Sequence, residues 1–171
     1  MLQKVQPTEQ HTLSVLVDNE PGVLARVIGL FSGRGYNIDS LTVSETEHEK
    51  HVSRITIVTT GTSMVIEQIK NQLDRLVPVH RVVDLTVRGD AIERELALVK
   101  VAGTGERRVE ALRLAQAFGA HTIDATLESF IFELTGSTGE IERFVGLMTS
   151  VGLVEVARTG VAAISRGAEG M

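Results

Sequence analysis

A Pro-Gly pair stands at the expected start of a helix in residues 18–41, DNEPGVLARVIGLFSGRGYNIDSL. Pro21 suits the first position of a helix, because the amide it lacks would have no partner there. Three polar residues before it are predicted to cap the helix: Asp18, Asn19 and Glu20. The first amides of a helix have no partners within it, and the helix dipole favours an anion beside them. The chemistry indicated at this corner is the binding of an anion.

The donors would be the backbone amides of Gly22, Val23 and Leu24. Gly22 has no side chain to block a ligand, so a small carboxylate is able to approach the backbone closely. The sequence contains no Walker motif and no GxGxxG motif, the glycine-rich patterns that cradle phosphates. We therefore expect the carboxylate of an amino acid or an organic acid. The same Pro-Gly pair also marks an ordinary turn into a helix, and the residues alone leave that interpretation open.

Asn37 stands just after the same helix is expected to end, behind a turn that contains Gly33 and Gly35. Its side chain carries both a donor and an acceptor, so it is able to recognise the ammonium group of an amino acid. Asn19 would share that role. The alternative interpretation of Asn37 is a turn residue, since asparagine adopts turn conformations readily.

Catalytic and metal-binding patterns are weak elsewhere in the chain. The segment EHEKH at residues 47–51 flanks His48 and His51 with Glu47 and Glu49, but it lies on a predicted hairpin loop. Cysteine is absent, which excludes disulfides, thiolate nucleophiles and cysteine-ligated metals. The sequence also lacks a G-x-S-x-G motif. We predict a protein with no catalytic and no metal site.

The composition is that of a folded chain with an acidic balance. Of its 171 residues, 43% are hydrophobic and 23% charged, which fits a packed core with a solvated surface. The net charge of −5 and the scattered basic residues argue against a nucleic-acid partner. No apolar run approaches the roughly 20 residues that span a bilayer, and the N-terminal MLQKVQPTEQ lacks the apolar core of a signal peptide. We expect a cytoplasmic protein.

The elements that position the corner repeat the order βαββαβ, which is typical of ferredoxin-like folds. Four strands are predicted in the first repeat from alternating apolar side chains: residues 11–18, 36–45, 52–60 and 79–87. The first helix is expected to bury one face: Leu24, Val27, Ile28 and Phe31. The second helix is predicted to have Ser63 as its N-cap and to end before Pro78.

A second βαββαβ unit is predicted after the polar joint RGDAIER, residues 88–94. GAHTIDATL in the second half echoes GYNIDSLTV in the first. The predicted fold class is α+β, with two ferredoxin-like domains in tandem. Its expected boundaries are a flexible segment at residues 1–10, a first domain at 11–88, a second domain at 89–166 and a flexible tail at 167–171.

The stretch LSVLVDNEPGVLARVIGLFSGRGYNIDSLTVSET closely resembles the start of the small, regulatory subunit of acetolactate synthase, also called acetohydroxyacid synthase. The first domain is similar to an ACT domain. The resemblance continues through SRITIVTTG, QLDRLVPVHRVVDLT, ERELALVKV and EVARTGVAAISRG, so it covers nearly all of the chain beyond the first ten residues. The C-terminal matches point to this family rather than to ACT domains in general.

The resemblance implies a non-catalytic protein that binds the large catalytic subunit, raises its activity and confers feedback inhibition by valine or related branched-chain amino acids. Thiamine diphosphate, Mg and FAD are then expected on the catalytic subunit, with no cofactor on this chain. The family also implies a homodimer through the ACT domains, with the effector between two of them. The matching positions are Asn19, Gly22, Val23 and Leu24 on one protomer and Asn37 and Ile38 on the other.

The second repeat departs from this pattern, because GTGERRVEA replaces the segment that contains the Pro-Gly pair. We expect no second site of the same kind there. Two other functions stay open at this point. One is a free-standing ACT-type amino-acid sensor that regulates another enzyme or a transcription factor. The other is a small hydrolase or isomerase, since a fold alone does not fix a function.

Overall fold

The computed structural model describes residues 7–47, 49, 51–87, 89 and 91–171. These residues form two compact units. The first contains the described residues up to Ile92 together with Val161–Met171, and the second is Glu93–Gly160. The polar joint predicted at residues 88–94 contains two positions, 88 and 90, that lie outside the described residues.

The first unit has the predicted βαββαβ order. Its elements are β1 (Glu9–Asp18), α1 (Val23–Arg34), β2 (Ser40–Glu47), β3 (Val52–Gly61), α2 (Ser63–Asp74) and β4 (Val79–Asp84). The four strands form an antiparallel sheet in the order β2-β3-β1-β4. β2 therefore lies at one edge of the sheet, directly after the segment that contains Asn37.

The second unit repeats this arrangement and confirms the predicted fold class. Its elements are β5 (Ala91–Ala102), α3 (Glu106–Phe118), β6 (His121–Ala125), β7 (Ser129–Gly136), α4 (Thr138–Val151) and β8 (Leu153–Arg158). The first two residues of β5, Ala91 and Ile92, belong to the first unit. The strand order is β6-β7-β5-β8. Its core lies between the sheet and its two helices and contains Val99, Phe132 and Phe144, each fully buried.

The core of the first unit shows why α1 is oriented as it is. Leu13, Val15 and Val17 alternate along β1 and are buried, as predicted. On α1 the buried row is Val23, Val27 and Phe31. The prediction that Leu24 and Ile28 share this face was wrong, since their side chains are 38% and 36% exposed. Each follows a buried residue by one position, which turns it about 100° around the helix axis.

The N-cap of α2 is Thr62 rather than the predicted Ser63. Thr62 has extended backbone angles, and its Oγ1 accepts a hydrogen bond from the Val65 amide at 3.4 Å. Ser63 is the first helical residue. Both residues are good caps by type, and the backbone conformation decides between them.

The last strand, β9 (Ala162–Ser165), belongs to the first unit. The Val161 amide donates to Ser40 Oγ at 2.8 Å, and Thr42 Oγ1 donates to the Val161 carbonyl at 2.7 Å. Val161 and Ala163 are buried with residues of the sheet face that α1 and α2 leave open: Val58, Val83 and Leu85. The division of the chain therefore differs from the predicted boundary, which placed 161–166 in the second domain.

The N-terminal end also differs from its predicted boundary. β1 begins at Glu9, so the segment predicted to be flexible, residues 1–10, ends within a strand. Residues 1–6 lie outside the described part of the chain.

Candidate functional site

The start of α1 is a left-handed turn at Gly22. Gly22 is the N-cap, with φ 87° and ψ −8°, and its carbonyl accepts the first helical hydrogen bond from the Arg26 amide at 3.0 Å. Such a positive φ favours glycine. Pro21 therefore lies one residue before the cap, and its predicted place at the first helical position was wrong.

No side chain caps α1, so the prediction that Asp18, Asn19 or Glu20 would do so was also wrong. The Asp18 carboxylate instead contacts His80 Nε2 at 2.6 Å. Asn19 is exposed, and its amide donates to the His51 carbonyl at 2.6 Å. The Glu20 carbonyl accepts a long hydrogen bond from the Val23 amide at 3.4 Å. The turn at Gly22 moves the helix start past the reach of the predicted caps.

The helix start consequently presents free donors. Among the described residues, the amides of Gly22, Leu24 and Ala25 have no acceptor, whereas the amide of Val23 is bonded to Glu20. The first turn contains no acidic residue. A Cβ placed on Gly22 would meet nothing within 4 Å, so the approach to these amides is open. Unbonded amides at the positive end of a helix dipole attract an anion.

Asn37 lies beyond the other end of α1. Gly35, with φ 69° and ψ 23°, ends the helix, and the Tyr36 amide donates to the Phe31 carbonyl at 2.9 Å. Gly35 thus forms the predicted left-handed helix ending, whereas Gly33, for which the same conformation was predicted, lies within α1. Thr59 Oγ1 donates to the Asn37 carbonyl at 2.6 Å and fixes the backbone there. The Asn37 side chain is exposed, and Ile38 beside it is half-buried.

The structure adds Asp39, which sequence reasoning missed. Asn37 Nδ2 donates to Asp39 Oδ1 at 2.5 Å, and Asp39 Oδ2 accepts from Thr60 Oγ1 at 2.7 Å. The two residues stand two apart in the sequence, directly before β2, and this spacing could have revealed the pair. No cationic side chain pairs with Asp39 among the described residues. The Asn37 region therefore has a hydrogen-bonded amide and an uncompensated negative charge.

One chain does not bring the two halves together. Gly22 and Asn37 flank opposite ends of a 12-residue helix, which at 1.5 Å per residue is about 18 Å long. A single amino acid is too short to bridge this distance. The predicted residues thus divide into two candidate half-sites at opposite ends of α1. One contains Asn19, Gly22, Val23 and Leu24, and the other contains Asn37 and Ile38.

The metal pattern at residues 47–51 is only partly described, because His48 and the side chain of Glu47 lie outside the described residues. Within the described part of the chain, no group of three or more His, Cys, Asp or Glu side chains is placed to hold a metal ion. None of the described helices is long and apolar enough to cross a membrane.

Comparisons with known proteins agree over most of the chain. The family described as "AHAS small subunit-like ACT domain" matches residues 13–81, and that described as "Small subunit of acetolactate synthase" matches residues 94–167. A probable acetolactate synthase small subunit from Archaeoglobus fulgidus is 45% identical over 158 residues, which cover 92% of this chain and 98% of the relative. The chain belongs to the acetolactate synthase small-subunit family.

Two further relatives support this membership. The acetolactate synthase isozyme 3 small subunit of Escherichia coli is 47% identical over 156 residues, covering 91% of this chain and 94% of the relative. The crystal structure of the acetolactate synthase small subunit from Thermotoga maritima matches with a TM-score of 0.85 at 38% identity, covering 94% of this chain and 99% of that one. The ACT match includes both half-sites, so α1 and its two flanking segments belong to the ACT domain of this family.

Proposed function

We propose that this chain is the regulatory subunit of acetolactate synthase in branched-chain amino-acid biosynthesis. It binds the catalytic subunit in the cytoplasm, raises its activity and makes it sensitive to feedback inhibition by valine. The observation that carries this proposal is the uncapped start of α1 at Gly22, in a chain of the small-subunit family.

The effector carboxylate is expected at the start of α1. The amides of Gly22 and Leu24 donate to it, and the absence of an acidic residue from the first turn leaves the positive end of the dipole uncompensated. The exposed Leu24 side chain on this turn offers an apolar contact to a branched aliphatic side chain. The Val23 amide is already bonded to the Glu20 carbonyl, so it is not a donor to the effector. The buried Val23 side chain instead packs in the core and fixes the position of the turn.

The ammonium group is expected at Asn37 of a second copy of the chain. Asp39 holds the Asn37 amide nitrogen and so orients its carbonyl oxygen away from Asp39, where it is able to accept from the ammonium group. The negative charge of Asp39 favours a cation and disfavours a carboxylate at this end. The two half-sites therefore give the amino acid one orientation.

A homodimer through the ACT domains supplies the second half-site. β2 is an edge strand whose outer side lacks a partner strand among the described residues, and an edge of this kind invites pairing with another chain. Leu24 and Ile28 expose apolar surface on α1. In a two-fold dimer, the Gly22 half-site of each chain faces the Asn37 half-site of the other chain, so the dimer contains two complete sites. A chain that sediments as a monomer with and without valine would contradict the shared site.

Catalysis belongs to the partner in this proposal, together with thiamine diphosphate, Mg and FAD. The experiment is an affinity capture with this chain, followed by reconstitution and titration with valine, leucine and isoleucine. Recovery of a large thiamine-diphosphate enzyme that this chain activates and valine then inhibits is the expected result. Amino-acid binding without such a partner would instead support a free-standing ACT sensor. Turnover by the purified chain alone would support a hydrolase or isomerase.

A further inference from the structure

A cavity lies in the first unit, on the face of the sheet that α1 and α2 do not cover. Its volume is about 240 Å³, compared with about 30 Å³ for one water in the liquid. The sheet contributes Arg54 from β3, and Leu85 follows β4. The opposite wall is the C-terminal segment from Ala163 to Met171.

Arg54 has no partner for its charge within this cavity. Its side chain is half-buried, and its Nε is shielded from water without a hydrogen-bond acceptor. No ion pair joins Arg54 to a carboxylate among the described residues. An Nε–H group that is shielded from water and has no acceptor is unfavourable, and it belongs to a charged guanidinium, so this position favours an anion.

The opposite wall offers further donors. Gly167, Ala168 and Gly170 line the cavity with backbone, because they have little or no side chain. Their amides have no acceptor among the described residues. Gly167 has φ 92°, and successive amides around such a left-handed residue form concave anion-binding turns. The segment is held in place upstream by the bonds of Val161 to Ser40 and Thr42.

We propose that this cavity binds a small anion through its carboxylate or phosphate oxygens, with Arg54 as the charge partner and the amides of 167–170 as donors. Glu169 is the acidic side chain of the lining, and it lies beyond ion-pair distance of Arg54. Its negative charge opposes an incoming anion and so tunes the affinity. The site is separate from the half-sites at Gly22 and Asn37.

The test uses the full chain without valine or a catalytic subunit, so its outcome is independent of the proposed function. Inorganic phosphate and acetate are titrated at constant ionic strength against chloride, by calorimetry and by the NMR shifts of the Gly167 and Gly170 amides. Saturable binding of one or both anions is expected, and the two titrations distinguish phosphate from carboxylate. A response that is linear in concentration, or absent, would mean an adventitious ion only and would overturn the proposal.

Four variants test which charged side chains contribute to anion binding. Arg54→Gln should weaken binding at least tenfold, whereas Glu169→Gln should tighten it several-fold. Arg81→Gln is the matched control: Arg81 is exposed on β4, opposite Leu16, which lies opposite Arg54. It should leave binding unchanged. Arg54→Lys retains the charge if the glutamine variant does not fold, and should bind between wild type and the glutamine level. Equal affinity in wild type and a folded Arg54→Gln variant would refute the site.

Discussion

The two βαββαβ units share a strand order but begin their first helices differently. α1 begins after Gly22, at φ 87° and ψ −8°, with no acidic residue in its first turn. α3 begins after Gly105, at φ 60° and ψ −132°, and Glu106 lies in its first turn. The second unit thus places its own carboxylate at the positive end of the helix, whereas the first turn of α1 has no acidic residue to occupy that end.

The segments after these helices differ in the same sense. In the first unit Asp39 accepts hydrogen bonds from Asn37 and Thr60. Asp124 stands in the echoing segment of the second unit, where Thr122 replaces the asparagine. The Asp124 side chain is exposed, and no side-chain hydrogen bond joins it to the described residues. The fold is repeated in the two units, whereas the features of the proposed binding site occur in the first unit alone among the described residues.

The largest expected effect is that of Gly22→Asp. The new carboxylate would occupy the amides and repel the effector, and losing two charge-assisted hydrogen bonds of roughly 1.5–3 kcal/mol each weakens valine binding a hundredfold or more. The left-handed φ of 87° adds strain, of roughly 1–2 kcal/mol for ordinary residues. Activation of the catalytic subunit should persist. Valine binding and inhibition curves measure the change.

The control for this change is Gly22→Asn, which has similar size and tolerance of the left-handed conformation but no charge. It should retain more valine affinity than the aspartate variant at equal thermal stability. Equal losses in the two variants would attribute the effect to bulk and would remove the electrostatic part of the account.

Asp39→Asn should weaken valine binding about tenfold, because the ammonium group loses a nearby negative charge in an exposed site. Binding of 3-methylbutanoate, which has the carboxylate but no ammonium group, should not weaken. Asp124→Asn is the matched control from the second unit and should change neither ligand. Calorimetry with both ligands checks the prediction, and an equal loss for the two would show that Asp39 acts on the fold rather than on the ammonium group.

Asn37→Ala should have a smaller effect, about fivefold on valine, since it removes one hydrogen bond of roughly 1 kcal/mol. The backbone position should survive, because Thr59 holds the carbonyl rather than the side chain of residue 37. A valine titration measures the loss. An unchanged affinity would exclude Asn37 from the site.

Ser137→Ala should leave valine binding unchanged and lower the stability of the second unit by about 1 kcal/mol. Ser137 caps α4 in a capping box with Glu140. The hydrogen bond from the Ser137 backbone amide is the largest cause that lowers the pKa of Glu140, and the hydrogen bond from the Ser137 hydroxyl is the next. Because the pKa of Glu140 is lower in the folded than in the unfolded chain, its carboxylate stabilises the fold at pH values above the unfolded pKa of about 4.5. This stabilisation is lost as the pH falls through the folded pKa. Thermal unfolding at neutral and acidic pH tests both statements. A loss of valine affinity would contradict the proposal that the valine site depends on the first unit alone.

Most of the fold was predictable from local patterns of apolar residues along the strands and helices. Leu13, Val15 and Val17 alternate because β1 buries one face, and that pattern is visible without a structure. The buried row of α1 was predicted correctly at Val27 and Phe31 and wrongly at Leu24 and Ile28. Packing against the sheet decides which face of an apolar helix is covered, and the helix sequence alone does not contain that information. The return of Val161 to Ser40 joins positions 121 residues apart, and no local pattern encodes such a contact.

The candidate site was predictable in part for the same reason. Gly22 and Asn37 were recognisable in the sequence because a glycine and an asparagine stand next to the two expected ends of a helix. The length of that helix, α1, then shows that the two residues are far apart within one chain. Asp39 was missed because its role depends on the Thr60 hydroxyl and the Asn37 amide, which the sheet and the turn bring to it. How a second chain closes the site lies beyond the pattern of one chain.

The shared site is tested most directly by mixing two variants. One chain carries Gly22→Asp and the other Asn37→Ala with Asp39→Asn, and each alone should bind little valine at a concentration that saturates wild type. In a mixed dimer, one site contains all the substitutions and the other site contains none. Random exchange of equal amounts makes about half of the dimers mixed, so about a quarter of all sites should bind valine with wild-type affinity. Native mass spectrometry verifies the mixed dimers, and calorimetry counts the sites. Mixed dimers that form but bind no more valine than either variant alone would contradict a site completed across two chains.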